Sequence, residues 1–149
     1  MKKTPISSTR AEVIAFLSQM NSILSSDGFS IDRDFVFQRI RGRDEPDDEF
    51  TNENTLLKLD YDTEDVVKEL KSLTIDDYSE SIVDNVAEGR KIFYVFGKKI
   101  NSHDVYIKVR IKQRRGQADS FVFCISFHFA RYPMTVFPYK RKSKSIKKY

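Results

Sequence analysis

Cysteine is almost missing from this chain. Cys124 stands alone, so no internal disulfide can form. One cysteine and two histidines are also too few for a structural zinc site. No stretch approaches the ~20 apolar residues that a membrane helix needs. The basic start MKKTPISSTRAEV has no apolar run behind it, so no secretory signal is expected. No internal repeat is visible. These absences lead to the expectation of a cytoplasmic protein with no membrane partner and no cofactor. Cys124 itself is expected to be buried, since no base accompanies it in sequence.

Acid is scarce in one half only. Residues 90–149 hold 16 Lys and Arg against Asp104 and Asp119, a balance of +14. Residues 1–89 hold 10 Lys and Arg against 20 acids, a balance of −10, which leaves the net +4. Charge divided in this way suits a polyanion-binding half. It also suits a solvated surface with a basic tail. At 149 residues and 40% apolar content, one domain with a real core is the simplest organisation.

SSTRAEVIAFLSQMNSILSSDG reads as an amphipathic helix. Thr9 and Glu12 form a capping box, and Val13, Phe16, Leu17, Met20, Ile23 and Leu24 make its stripe. FSIDRDFVFQRIR is extended but mixed in pattern. GRDEPDDEFTNEN, 42–54, is rich in acids and turn formers and is expected to be a mobile loop. Its acids do not follow the EF-hand spacing, so a metal site there is disfavoured. Asp62 caps a helix over DTEDVVKELKSL, and Thr74 is expected to cap another over TIDDYSESIV.

After Gly89 the period changes to two. Strands are expected over 91–100, 104–112 and 120–130, joined at Asn101-Ser102 and at RRGQAD. The expected fold is α+β, with N-terminal helices packed on one face of a small antiparallel sheet. Residues 1–138 form the domain in this reading, and 139–149, YKRKSKSIKKY, form a basic disordered tail.

Within HDVYIKVRIKQRR, Val105, Ile107, Val109 and Ile111 alternate with Tyr106, Lys108, Arg110 and Lys112. One face is β-branched; the other is aromatic and cationic. In the last strand Phe121, Phe123, Ile125, Phe127 and Phe129 are expected to point inward together. His128 then projects with Tyr106, Lys108 and Arg110. Lys98, Lys99 and Tyr94 would join from the strand before, with Arg131 and Tyr132 at the rim. RNA carries its own nucleophile, the 2′-hydroxyl. Its cleavage needs a proton acceptor, cations around the phosphate and an acid near the 5′-oxygen. Tyr106, His128 and Lys108 are the candidate catalytic set. Lys98, Lys99, Arg110, Arg131 and Tyr132 are the candidates for holding RNA phosphate. Lys108 or Arg110 taken alone is better read as an ordinary solvated strand residue, and only the joint arrangement favours a site.

DYDTEDVVKELKSLTIDDYSES, followed by FYVFGKKI, VYIKVRI and CISFH, resembles the motility quorum-sensing regulator (MqsR) family of type II toxin–antitoxin systems. The resemblance covers about residues 56–130 and rests on the order of elements and on short strings. It implies a RelE-like ribonuclease fold and a sequence-selective, metal-independent mRNA endoribonuclease neutralised by a cognate antitoxin. The family's strand tyrosine corresponds to Tyr106, with Lys108 two residues on. A family lysine corresponds to His128, which exchanges a permanent cation for a titratable ring. The lysine expected after the Asp-Tyr pair falls on Ser79, and a family glutamine falls on Phe93 or Tyr94. Lys98 and Lys99 lie near the family's basic loop residues. The sequence therefore supports a toxin-like mRNA endoribonuclease. A non-catalytic nucleic-acid-binding module, or a basic face for an acidic protein, fits the same residues.

Overall fold

The structure is a computed structural model and describes residues 3–86, 89–114 and 119–141. It is α+β, with a mostly antiparallel six-stranded sheet carrying its helices on one face. The elements are β1 (Lys3–Ile6), α1 (Arg10–Leu24), α2 (Ile31–Asp34), β2 (Phe35–Phe37), α3 (Asn52–Leu59), α4 (Thr63–Lys71), a 3-10 turn (Ile75–Asp77), β3 (Tyr78–Val86), β4 (Gly89–Ile100), β5 (His103–Gln113) and β6 (Ser120–Phe129). The strand order is β1-β3-β4-β5-β6-β2, and only the β2–β6 pair is parallel. No helix among the described residues is long and apolar enough to cross a membrane.

Helix α1 forms as its capping box requires: Thr9 Oγ1 accepts from Glu12 N, and Glu12 Oε1 accepts from Thr9 N. Its buried residues Val13, Phe16, Met20 and Leu24 meet Leu56 and Leu59 of α3 and Val66, Val67 and Leu70 of α4 in one core. The sheet contributes Phe96, Val105, Ile107, Val109, Val122, Cys124, Phe127 and Phe129. At ~25 cal/mol per Å² of apolar surface, this layer is the main stabilising contact between helices and sheet. The β4–β5 hairpin turns on Asn101 and Ser102, both with positive φ (49° and 69°), as a tight hairpin turn demands.

The segment expected to be a helix over TIDDYSESIV is a 3-10 turn running directly into β3. Asp77 closes a cap on Thr74 as a helix start would, but Tyr78 onward is extended and pairs with β4. The long-range ladder outweighs the local cap. The acidic loop is shorter than expected, since Asn52 already belongs to α3. Asp48 Oδ1 accepts from Phe50 N, and the Asn54 side chain donates to the carbonyls of Pro46 and Asp48. The start of the expected disordered tail is also tied down. Tyr139 stacks on Tyr78 and donates to Ser8 O at 2.5 Å, and Arg141 pairs with Asp76. Residues 142–149, like residues 115–118 of the second turn, lie outside the described residues.

The expectation of five large residues on one face of β6 is corrected by a bulge. Lys108 pairs with Ser126 while Val109 pairs with Cys124, so Ile125 is the extra residue. Before it, Val122 and Cys124 face the core; beyond it, Phe127 and Phe129 do. Phe121 and Phe123 therefore lie on the face away from the helices. Asn52 clamps this irregularity. Its side-chain amide donates to Ile125 O (3.0 Å) and Gln38 O (2.7 Å), and its Oδ1 accepts from Phe127 N (3.0 Å). One helical turn on, Thr55 Oγ1 accepts from Phe129 N (2.9 Å). Thus α3 supplies side-chain partners along the edge of β6 where β2 has ended.

Candidate active site

The bulge decides what faces away from the helices. Because the register steps by one at Ile125, His128 lies opposite Tyr106 and Ser126 opposite Lys108 on that face. The two rings stack, with centroids 5.2 Å apart and planes 17° from parallel. Without the extra residue, the Phe-Val-Phe-Cys register would have turned His128 toward the core.

Tyr106, Lys108, Ser126 and His128 line a cavity of about 520 Å³. The chain after β6 forms one wall, with Arg131 and Tyr132 at its start and Met134 to Val136 further along. This strap crosses β4 at Gly97, where a Cβ would meet Met134 Sδ at 2.8 Å and Phe137 Cζ at 2.9 Å. Asp104 holds its near end, accepting from Met134 N at 3.1 Å, while its main-chain carbonyl accepts from Ala130 N at 2.8 Å. Tyr139 holds the far end. The face that the sequence leaves open is therefore a walled pocket at this point.

Environment separates the titratable groups. His128 is largely buried, and that burial lowers its pKa below the ordinary 6.5, with Arg41 and Arg131 adding to the effect. It is neutral at pH 7. Its Nδ1 lies 3.0 Å from the carbonyl oxygen of Phe129. A carbonyl can only accept, so Nδ1 carries the proton and Nε2 is left as the acceptor. Burial pushes the Tyr106 phenol up to about 12, with Glu80 contributing, so it keeps its proton. Burial also lowers Lys108, with Lys3 and Arg41 adding repulsion.

The other predicted residues divide. Arg110 lies on the same face, its guanidinium 5.4 Å from the Phe93 centroid, with Lys108 Nζ at 4.8 Å from that ring. Lys99 lies on this face too but pairs with Asp104 at 3.3 Å. Lys98 points the other way, into the helix layer. It pairs with Glu69 at 3.0 Å and donates to Ser72, while Tyr61 donates to the same carboxylate at 2.5 Å. Tyr94 also turns inward and stacks on Phe16 at 4.0 Å. Lys98 and Lys99 are adjacent in an extended strand, so they cannot share a face. Arg131 lies at the rim, paired with Asp48 and stacked 4.9 Å from the Phe50 centroid. Tyr132 is 80% exposed at the mouth. Cys124 is fully buried in the core, and burial drives its thiol far up.

No family model, curated protein or solved structure matches the chain. Arg41 is the residue that sequence reasoning missed. It lines both this cavity and a smaller one of about 170 Å³ beside it, where Asp44, Asp48 and Arg131 also lie. The parallel pairing of β2 and the bond from Gln38 N to Cys124 O (3.2 Å) carry the chain to this point. The signal was the triplet Arg39, Arg41 and Arg43 entering an otherwise acidic loop. Ser79, the position where the resemblance leads one to expect lysine, is buried in the cavity wall. A third cavity, of about 590 Å³, lies across Ala130 between α3 and loop 46–50. Asp47, Glu49 and Asp104 line it against Lys58, so its balance of charge is acidic and disfavours phosphate. The cationic cavity is the better candidate for an anionic substrate.

Proposed function

We propose that the chain is a toxin-like mRNA endoribonuclease that cleaves by attack of a ribose 2′-hydroxyl on the adjacent phosphate. The observation carrying this reading is the pairing of a neutral His128, Nε2 free to accept, with a protonated Tyr106 and a cationic Lys108 in one cavity. In the proposed step, His128 Nε2 takes the 2′-hydroxyl proton as that oxygen bonds to phosphorus. The bond from phosphorus to the 5′-oxygen breaks, and the leaving oxygen receives a proton from the Tyr106 phenol. The products are a 2′,3′-cyclic phosphate and a 5′-hydroxyl. Lys108 and Arg41 hold the non-bridging oxygens as charge builds there. Acid–base help of this kind contributes roughly 10²–10⁴-fold. The substrate supplies its own nucleophile, so the step requires no metal-bound water.

The wider setting is proposed on the resemblance to the MqsR toxins: a cytoplasmic protein that acts on mRNA and is neutralised by a cognate antitoxin. Expression of the chain should then arrest growth, and co-expression of a small protein encoded beside it should restore growth. Purified protein incubated with labelled mRNA and EDTA should leave cyclic-phosphate or 3′-phosphate ends. Loss of those products in His128→Ala supports the reading; intact RNA with the unaltered protein overturns it.

The second reading is a nucleic-acid-binding module without catalysis. The row of cations that continues along β5 beyond the cavity favours it, since Lys112 lies too far from His128 for the chemistry to need it. Binding without cleavage would select this reading.

A further inference from the structure

Strand β5 carries Lys108, Arg110 and Lys112 at alternate positions, all on the face that bears Tyr106. Alternate strand residues recur every ~6.7 Å. Successive phosphates of an extended single strand have a similar separation, which lets a cationic groove follow the backbone.

The row is held over aromatic rings; Glu80 and Asp84 act on Lys108 from a distance without forming an ion pair with it. Lys108 and Arg110 flank Phe93, and Lys112 Nζ lies 5.1 Å from the Phe123 centroid and 5.9 Å from that of Phe121. The rings fix the cations along the sheet rather than letting them swing into solvent. Among the described residues, no carboxylate oxygen lies within 4.0 Å of any of the three cationic groups. Arg110 Nε is buried with no hydrogen-bond partner. Burial lowers the pKa of all three residues, so each holds its charge against a cost in solvation. Three neighbouring cations in this state favour binding a linear polyanion.

The geometry points to a phosphate track for single-stranded RNA along β5. The phosphate to be cleaved lies at Lys108 in the cavity, and the next two lie over Arg110 and Lys112, so that the site spans four nucleotides. This inference rests on the proposed ribonuclease reading for its cavity end and adds the form and length of the substrate. A duplex is excluded because the strap of residues 131–137 walls the cavity end. An acidic peptide strand has the same repeat but fits less well. β5 is interior to the sheet, bonded to β4 and β6, so it offers a peptide no free edge. A peptide lying on the face would therefore gain no main-chain hydrogen bonds from the sheet, whereas a phosphodiester chain needs none and is held through its charge.

The test is fluorescence-anisotropy binding of 2′-O-methyl oligoribonucleotides, which cannot be cleaved by this route, to the full chain at several salt concentrations. Affinity should climb several-fold from dinucleotide to tetranucleotide and then level off. The tetranucleotide should give a slope of log K against log salt of about −2, from ~0.7 for each of its three phosphates. Arg110→Gln and Lys112→Gln should each weaken the tetranucleotide several-fold and reduce the slope by ~0.7, leaving the dinucleotide unchanged. Lys71→Gln, on α4, should change nothing. The track is overturned if the dinucleotide binds as tightly as the tetranucleotide, or if Lys112→Gln weakens both equally. Duplex RNA competing as well as single-stranded RNA also overturns it. Displacement by polyglutamate at equal charge concentration overturns it in favour of an acidic protein partner. No cleavage is read, so the two proposals separate: length-dependent binding by a protein that cuts nothing keeps the track and removes the nuclease, while cleavage with flat length dependence does the reverse.

Discussion

The imidazole of His128 lies face to face with the phenol of Tyr106, 5.2 Å between centroids, and donates from Nδ1 to the Phe129 carbonyl. That one bond sets which nitrogen can accept a proton. Because burial lowers the His128 pKa, the acidic limb of the cleavage profile should lie below the ordinary value of ~6.5. Activity should rise with pH through that limb and be flat near neutrality. A pH–rate profile of single-turnover cleavage measures this; a limb above 6.5 contradicts it.

The same ring ties stability to pH. Its folded pKa is depressed, so the unfolded chain binds the proton more readily. Stability should be undiminished above ~6.5 and should fall as pH drops below that value toward the folded pKa. Thermal melts of the unaltered protein and of His128→Asn between pH 7.5 and 5 should converge toward the acid end. Parallel curves would contradict this.

Asn52 is the hinge between fold and site. Asn52→Ala leaves Ile125 O and Phe127 N without their side-chain partner beside the bulge, at about 1–3 kcal/mol for each buried group. Asn52→Asp can still accept from Phe127 N but cannot donate to Ile125 O or Gln38 O. Both should lower the urea midpoint, Asn52→Ala more. Both should also slow cleavage, because the bulge aims His128.

Gly97→Ala should displace the strap. The added methyl would come within 3 Å of the ends of the Met134 and Phe137 side chains, so both have to shift for it to fit. Limited proteolysis should then cut within 132–136 faster than in the unaltered chain. An unchanged digestion rate would mean that the strap does not depend on that contact.

Lys98 should behave unlike its neighbours on β5. Its ion pair with Glu69 lies in the helix layer, where Tyr61 also meets the carboxylate. Lys98→Gln should lower thermal stability and leave RNA affinity unchanged, while Lys108→Gln should do the opposite. Anisotropy and melting curves on the two variants check the pair.

Local signals were readable where the residues involved are neighbours in sequence. The Thr9–Glu12 box, the stripe of α1, the Asn101-Ser102 turn and the alternation in β5 all appear in the structure. What escaped depends on distant partners. Ile125 looks like one more apolar residue in an alternating run, and only pairing with β5 makes it the extra one. Asn52 reads as loop polarity until its contacts with Ile125 and Phe127, 73 and 75 residues away, are known. TIDDYSES carries helix-start chemistry that β4 overrides. Tyr106 and His128 were assigned to a shared face from simple alternation. They do share it, but through a bulge that also moved Phe121 and Phe123 onto that face. Arg41 was hidden by the acids around it.

The most direct measurement is the chemistry of the ends left on a labelled mRNA by the purified full chain in EDTA. The proposed mechanism predicts 2′,3′-cyclic phosphate and 5′-hydroxyl ends, reduced at least 10²-fold in His128→Ala and more mildly in Tyr106→Phe. RNA left whole by the unaltered protein, or cleavage that His128→Ala does not change, would contradict it.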